Sequence, residues 1–453
     1  MKKLSFFGGA KTVTGANYLL ELDDTKILID CGMFQGDRYA EERNHEPFPY
    51  DPSSIDYVCI THAHADHIGR LPKLHKDGFH NTIISTPPTH DLTAVMLDDA
   101  LRIMKHECEQ HNTPDLYGET DVKHTLTLFK THPYNEPFKI GKNNDISITF
   151  RDAGHILGSA MIEIEYQGTR IVFTGDLGNH PSPLLDDTYH LLETDYVVME
   201  SVYGNRLHES HAERKTALER AIENTAAKKG ALIMPVFALE RTQEVLAELN
   251  ELVENSRIPR IPIFLDSPLA IHATAVYKKY ENYFNKDAQK IIQSGDDLFQ
   301  FPGLTFSETH EESKKINDIP SPKIIMAGNP HGYGSRIAHH FLRYLPHEKN
   351  TAVFVGYARV SSLGRRLTDG AKEVNILGHA IPVRAEIINI SGYSSHADQA
   401  QLRTFVSRIK KPIKNIFVAM GEPESSESIA RVIRDELGIK TTVPNLGDVV
   451  ELE

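Results

Sequence analysis

From about residue 205 the chain settles into an alternation of helix and strand. Helical spacing over 211–229 precedes a β-branched apolar run at 231–234, then a helix at 239–253, a strand at 261–265 and a helix near 268–280. The strand 323–326, helix 335–344 and strand 352–355 continue the pattern. Such an order predicts a parallel sheet with crossover helices, because parallel neighbours need a connection that runs back over one face. The first 200 residues read differently. Short apolar runs at 26–29, 57–60, 146–150, 161–164, 171–173 and 196–199 are punctuated by Gly, Asp and Pro, which predicts strands. Two helical stretches, about 90–108 and 119–130, interrupt them. The last part of the chain returns to strand 386–390, helix 399–409, strand 415–419 and helix 425–436.

Composition removes several function classes. With 40% apolar residues over 453 positions the chain can build a sizeable core, and two domains are expected at this length. No window approaches 18 uninterrupted apolar residues, so no membrane span is expected. Lys2 and Lys3 followed by Leu4, Phe6 and Phe7 look like the front of a signal peptide. The run is short, contains Gly8 and Gly9 and is closed by Lys11, so it reads as a first strand and turn. Three cysteines (Cys31, Cys59 and Cys108) cannot make a disulfide framework or a four-cysteine zinc site, and a reducing cytoplasmic setting is expected. A net charge of −13 argues against nucleic-acid binding by bulk charge.

The strongest local signal is Thr61-His62-Ala63-His64-Ala65-Asp66-His67-Ile68-Gly69, directly after the apolar run 57–60. A lone histidine here would be a polar loop residue. Three imidazoles and a carboxylate within six residues match the ligand set of zinc or a similar divalent ion. Further ligands are expected on other turns after strands. His155 lies in Gly154-His155-Ile156-Leu157-Gly158, after 146–150, and Asp176 lies in Thr174-Gly175-Asp176, after 171–173. Taken singly each is an ordinary turn; in this order each is a candidate ligand. Asp30 ends the run 26–29, where a turn carboxylate and a supporting role behind the ligands are equally open readings.

The ordered set Asp30, His62-x-His64-x-Asp66-His67, His155 and Asp176 resembles the metallo-β-lactamase superfamily. The continuation resembles its β-CASP nuclease branch, above all the prokaryotic ribonucleases related to the endonuclease of pre-mRNA 3′-end formation. The supporting segments are 43–48 (Arg43 to Phe48), Glu200-Ser201-Val202-Tyr203-Gly204, Leu265-Asp266-Ser267-Pro268-Leu269, Phe354-Val355-Gly356-Tyr357 and Ser394-Ser395-His396-Ala397-Asp398. The resemblance implies an α/β protein. A four-layer αββα domain would be made by residues 1–203 and 389–453, and an inserted β-CASP domain with a mainly parallel sheet by 204–388. It implies an active site in the cleft between them, with two zinc ions. His62, His64 and His155 would hold one, Asp66 and His67 the second, and Asp176 would bridge. A metal-activated hydroxide would attack an RNA phosphodiester. Glu200 matches the motif A acid and His396 the motif B histidine, the general acid; with Asp66 they make the implied catalytic set. The implied substrate is single-stranded RNA, in processing or decay, and homodimers are common in this family.

Two departures qualify this. The family's ribonucleases carry a motif C histidine, a ligand of the second zinc, before Gly-Glu. Here the segment is Val418-Ala419-Met420-Gly421-Glu422. A thioether is a soft, poor donor beside carboxylates. The second site would then be weakened or lost. A DNA nuclease, whose relatives also lack this histidine, and a weakly catalytic RNA-binding protein are the alternatives; Met420 can equally be a packed strand-end residue. The second departure is the loop 328–336. Gly334-Ser335-Arg336 before an apolar helix, with Arg365 of Gly364-Arg365-Arg366, are candidate phosphate contacts; His331 reads as a plain loop residue. One basic group (Arg359, Arg365, Arg366) and another (Arg403, Arg408, Lys410, Lys411, Lys414) could steer a polyanion despite the net charge, or could be solvated faces.

Overall fold

A computed structural model describes residues 2–36, 42–111, 114–328, 335–356, 362–410 and 412–453, with all their side chains except those of 106, 107 and 109–111. The chain forms two compact units. One comprises Met1–His180, Asp187–Leu207 and His396–Glu453; the other comprises Pro181–Asp186 and His208–Ser395. The expected division at 388/389 passes through the strand Glu386–Ile390. That strand pairs in parallel with Thr351–Val355 and so extends the sheet of the second unit.

In the first unit two seven-stranded sheets face each other. One runs in the order Val449–Leu452, Lys2–Phe6, Tyr18–Leu22, Thr25–Ile29, Tyr57–Cys59, Thr82–Ser85, Phe129–Thr131. The other runs Thr441–Thr442, Asn415–Val418, Tyr196–Met199, Thr169–Phe173, Ala160–Tyr166, Ile146–Asp152, Phe138–Ile140. Side chains alternate between faces at period two, and this alternation makes the layers. Ile27, Ile29 and Cys59 turn inward onto Ile162, Phe173, Val198 and Phe417 of the facing sheet. Leu28 and Val58 turn outward beneath Leu71, Leu97 and Val122, from the helices Leu71–Lys76, Pro87–His111 and Glu119–Thr127. On the opposite outer face, Val197, Ile416 and Val418 pack under Leu402, Phe405 and Ile429 of the helices Gln399–Ser407 and Pro423–Leu437. The result is the expected αββα order. The stretch 119–130 is not one helix: it ends at Thr127, and Phe129–Thr131 becomes the edge strand beside Thr82–Ser85.

Strand direction positions the site. Thr25–Ile29 and Tyr57–Cys59 run parallel, as do Thr169–Phe173, Tyr196–Met199 and Asn415–Val418. Their carboxyl ends within each sheet therefore share an edge, and the turns that follow them begin at Asp30, Ile60, Thr174, Glu200 and Ala419.

The second unit carries a six-stranded sheet in the order Leu304–Phe306, Ile263–Asp266, Lys323–Gly328, Ala231–Val236, Thr351–Val355, Glu386–Ile390. Every pairing in it is parallel, as the alternation predicts. Ile337, Ala338, Phe341 and Tyr344 form the apolar stripe that seats the helix Arg336–Tyr344 against Ile233, Ile325 and Phe354. Among the described residues, no helix is long and apolar enough to cross a membrane.

Candidate metal centre

The histidine-rich turn is built by Asp30. This residue adopts a left-handed φ of 58° at the end of its strand, and its carboxylate reaches the next turn. Oδ1 accepts from the Thr61 amide at 2.8 Å and Oδ2 from the Thr61 hydroxyl at 2.7 Å. Oδ2 also lies 2.7 Å from Nδ1 of His67. The anchored Nδ1 leaves Nε2 as the ring atom that faces inward, 3.5 Å from Asp176 Oδ2 and 4.0 Å from Asp66 Oδ2. His64 caps the one-turn helix Ala65–Ile68, which carries Asp66 and His67.

Asp176 is the hub. Its Oδ2 lies 3.4 Å from His62 Nε2, 3.5 Å from His67 Nε2 and 3.6 Å from His155 Nε2. His64 Nδ1 closes the ring, 3.0 Å from His62 Nε2 and 3.2 Å from His155 Nε2. The turn before Asp176 needs its glycine: Gly175 has φ +55°, and a Cβ there would stand 2.6 Å from the Thr61 side chain. His155 is set by Ser159, whose hydroxyl accepts from the His155 amide at 3.1 Å.

A second group abuts the first. Glu200, buried after Tyr196–Met199, accepts from the amides of Leu177 at 2.6 Å and Val202 at 3.2 Å. His396 Nδ1 lies 3.4 Å from Glu200 Oε1 and 3.9 Å from Asp176 Oδ2, and its ring stands 4.6 Å from that of His155. The segment is held in place by a β-bridge between Gly178 and His396. Donor atoms of His62, His64, His155 and Asp176 converge within 4.8 Å of one another, and so do those of Asp176, Glu200 and His396.

Burial governs the electrostatics. It holds His62, His64 and His155 below the ordinary imidazole range, with neighbouring histidines adding to the effect, which favours the neutral ring that a metal ligand needs. Burial also opposes charge on His67, but Asp176 and Asp30 outweigh it and raise its pKa well above the usual value. Asp66 and Glu200 are raised, first by burial.

Three family models match this chain. The metallo-beta-lactamase superfamily covers residues 12–235, the Beta-Casp domain 242–367, and the Zn-dependent metallo-hydrolase RNA specificity domain 380–444. The chain is 37% identical over 396 residues to Ribonuclease TTHA0252 of Thermus thermophilus, which spans 87% of this chain and 88% of that protein. It belongs to the metallo-beta-lactamase superfamily, in its Beta-Casp branch. It is also 32% identical to the RNase J-like protein of Methanocaldococcus jannaschii over the whole of both chains. Identity to the transcription termination factor FttA of Methanosarcina mazei is 30%, over 97% of this chain and 70% of that one. A crystal structure of a protein of unknown function from Enterococcus faecalis V583 shares the fold, with a TM-score of 0.58 at 13% identity over both full lengths.

Membership in the superfamily implies a divalent metal, and the donor set fits one. Imidazole nitrogens and carboxylate oxygens suit a borderline cation. Two buried donors in the cluster, His67 Nε2 and Asp176 Oδ1, have no hydrogen-bond partner among the described residues, an arrangement that costs free energy unless a ligand satisfies it. Met420 is 3% exposed and holds a left-handed φ of 43°, a strained conformation for a bulky residue. It lines a small cavity with Tyr18, Asp30, Thr61, His67 and Glu200. Thr61 carried no expectation of its own, although it stands beside His62. Its hydroxyl lies 3.0 Å from His62 Nδ1 and 3.3 Å from His67 Nδ1.

The candidate substrate contacts lie in the Beta-Casp unit. Ser335 caps the helix Arg336–Tyr344 without a side-chain hydrogen bond to it. The Arg336 guanidinium is engaged internally, donating to Asp266 and the Ser307 carbonyl at 2.7 Å and to the Glu308 carbonyl at 2.6 Å. Arg365 pairs with Asp369 at 2.9 Å on a half-exposed helix. In the second basic group Arg403 pairs with Glu436, Arg408 meets His190, and Lys414 donates to the Glu453 carbonyl. His331, Gly334, Tyr357, Arg359 and Lys411 lie outside the described residues.

Proposed function

We propose that this protein is a zinc-dependent ribonuclease that cuts single-stranded RNA, at least in part endonucleolytically, in cytoplasmic RNA processing or decay. One observation carries the reading. A hub carboxylate, Asp176, is faced by three histidines and abuts a Glu200–His396 pair. The names of the relatives and the RNA specificity match support RNA as substrate.

In this reading His62, His64 and His155 hold one zinc, Asp66 and His67 a second, and Asp176 serves both. When bound, the ions supply Lewis acidity toward water and the phosphodiester. The chain's own part is to orient and to move protons. Asp30 fixes the His67 ring through Nδ1. Amides of Leu177 and Val202 fix the Glu200 carboxylate, which steers His396 through Nδ1. Nε2 of His396 then hands its proton to the leaving oxygen. Ser335, Arg336 and Arg365 are proposed to meet the RNA backbone; of these Arg336 is the weakest case, because its guanidinium is largely engaged. A homodimer is the proposed assembly.

The test is cleavage of matched single-stranded RNA and DNA oligonucleotides with added zinc. RNA is cut, His64→Ala abolishes cutting, and His396→Ala slows it by about 10²–10⁴-fold with zinc content unchanged. Preference for DNA overturns the substrate, and RNA binding without turnover overturns the enzyme.

A further inference from the structure

The phenol of Tyr18 is an anomaly in a packed core. Tyr18 opens the strand Tyr18–Leu22 and is 4% exposed. Its ring is fully used: it meets Phe6 edge-on at 5.8 Å and stacks against Phe173 at 6.1 Å. Phenylalanine would pack there equally well. The hydroxyl adds a buried polar atom with no hydrogen-bond partner among the described residues, which costs about 1–3 kcal/mol. Such a group is retained without structural return, and it asks for a ligand.

Its position says which ligand. Tyr18 shares one cavity with His67, Asp30, Glu200 and Met420. In the same cluster His67 Nε2 is also without a hydrogen-bond partner. Phenol and thioether close on a common point: a Cβ built on Gly9 would lie 2.3 Å from the Tyr18 hydroxyl oxygen and 2.7 Å from Met420 Sδ. Met420 reaches this place only through its strained backbone, whose amide donates to the Gly9 carbonyl. A thioether is a poor zinc donor beside carboxylates, whereas a phenol oxygen is a hard one.

We propose that Tyr18 turns its phenol oxygen toward the second cation, on the side where Met420 presents only sulfur. The proposal rests on the two-zinc reading above. It makes Tyr18 and Met420 a matched pair: the bulk comes from one and the donor from the other.

Zinc titration of the full chain against a chromophoric chelator tests it, with Tyr18→Phe and Met420→His beside the wild type. The wild type takes up two zinc ions. Tyr18→Phe keeps the first with unchanged affinity and binds the second at least about tenfold more weakly. A tyrosine ultraviolet difference signal accompanies the second equivalent in the wild type and is absent from Tyr18→Phe. Met420→His, by supplying a nitrogen at the same place, tightens the second ion. The melting temperature of metal-free Tyr18→Phe equals or exceeds that of the wild type, since the lost hydroxyl has no partner. Fewer than two zinc ions in the wild type at saturation overturns the two-zinc reading. Two ions in the wild type, with Tyr18→Phe binding both equally well, overturns the role of Tyr18 alone. A lower melting temperature for metal-free Tyr18→Phe also overturns it, because the hydroxyl would then be structural.

Discussion

Each unit sets an aspartate that meets histidine at a buried strand's end or in the turn just after it, yet the two aspartates are handled in opposite ways. In the Beta-Casp unit Asp266 is fully buried. It is saturated by protein: Arg336 and His340 each lie at 2.7 Å, and the Ser313 hydroxyl donates at 2.7 Å. The positive charge it needs is covalently present. In the metallo-beta-lactamase unit Asp176 is equally buried, but it is faced by three imidazoles at 3.4–3.6 Å, and one of its oxygens has no hydrogen-bond partner among the described residues. Two of those rings are held neutral by burial. The same residue types near a strand end therefore give a closed network in one place and an open donor set in the other. What separates them is an arginine.

The largest effect should come from closing the open set. Asp176→Asn removes the charge on which three histidines converge. Zinc affinity should fall by more than about 100-fold and RNA cleavage by more than about 10³-fold. Metal analysis of the purified variant and a single-turnover assay check this. The metal-free variant should fold, because asparagine keeps the side-chain shape and His67 keeps its pairing with Asp30. Full zinc occupancy would break the comparison, since Asp176 would then be a closed group like Asp266.

The contrast was only half legible in the sequence. Histidines 62, 64 and 67 stood out because they crowd one turn after one strand, and His155 and Asp176 followed from the same placement. The parallel sheet was legible because crossover connections enforce alternation. Saturation was not legible. Arg336 looks like a phosphate contact when read along the chain, because it ends the run Gly334-Ser335-Arg336 and opens a helix. Only tertiary packing turns its guanidinium onto Asp266, 70 residues away. Tyr18 likewise gives no signal within its strand, where a buried tyrosine is ordinary. Its unmatched hydroxyl appears only when Met420, some 400 residues later, is brought beside it. Strand 386–390 looked like part of the C-terminal return because pairing partners are not visible in a run of apolar residues.

An intermediate effect, of a different kind, should follow from opening the closed set. Asp266→Ala leaves Arg336 and His340 without their buried counter-charge. Stability should drop by about 3–5 kcal/mol in denaturant unfolding. Zinc stoichiometry should not change. A loss of zinc with no loss of stability would show that the saturated aspartate serves metal after all.

The smallest effect tests whether a buried cation in the Beta-Casp unit is tolerated with two carbonyls and the Tyr344 ring as partners and no carboxylate in contact among the described residues. Lys323 is 2% exposed and donates to the carbonyls of Ile316 and Ile319. Burial first, then the charge of Arg343, pushes its pKa down to about 8. In the unfolded chain an ordinary lysine titrates near 10.4. Between these values the unfolded state binds more protons than the folded one, so stability rises as pH climbs from about 8 toward 10. Over that range the gain should be on the order of 1–2 kcal/mol. Urea unfolding of the wild type and of Lys323→Met across that range isolates it, because the variant lacks the titrating group and keeps the packing. Parallel curves would mean that the two carbonyls satisfy the ammonium as fully as Asp266 satisfies Arg336. Converging curves would mean that a buried charge in this unit needs a carboxylate, as the saturated Asp266 network implies.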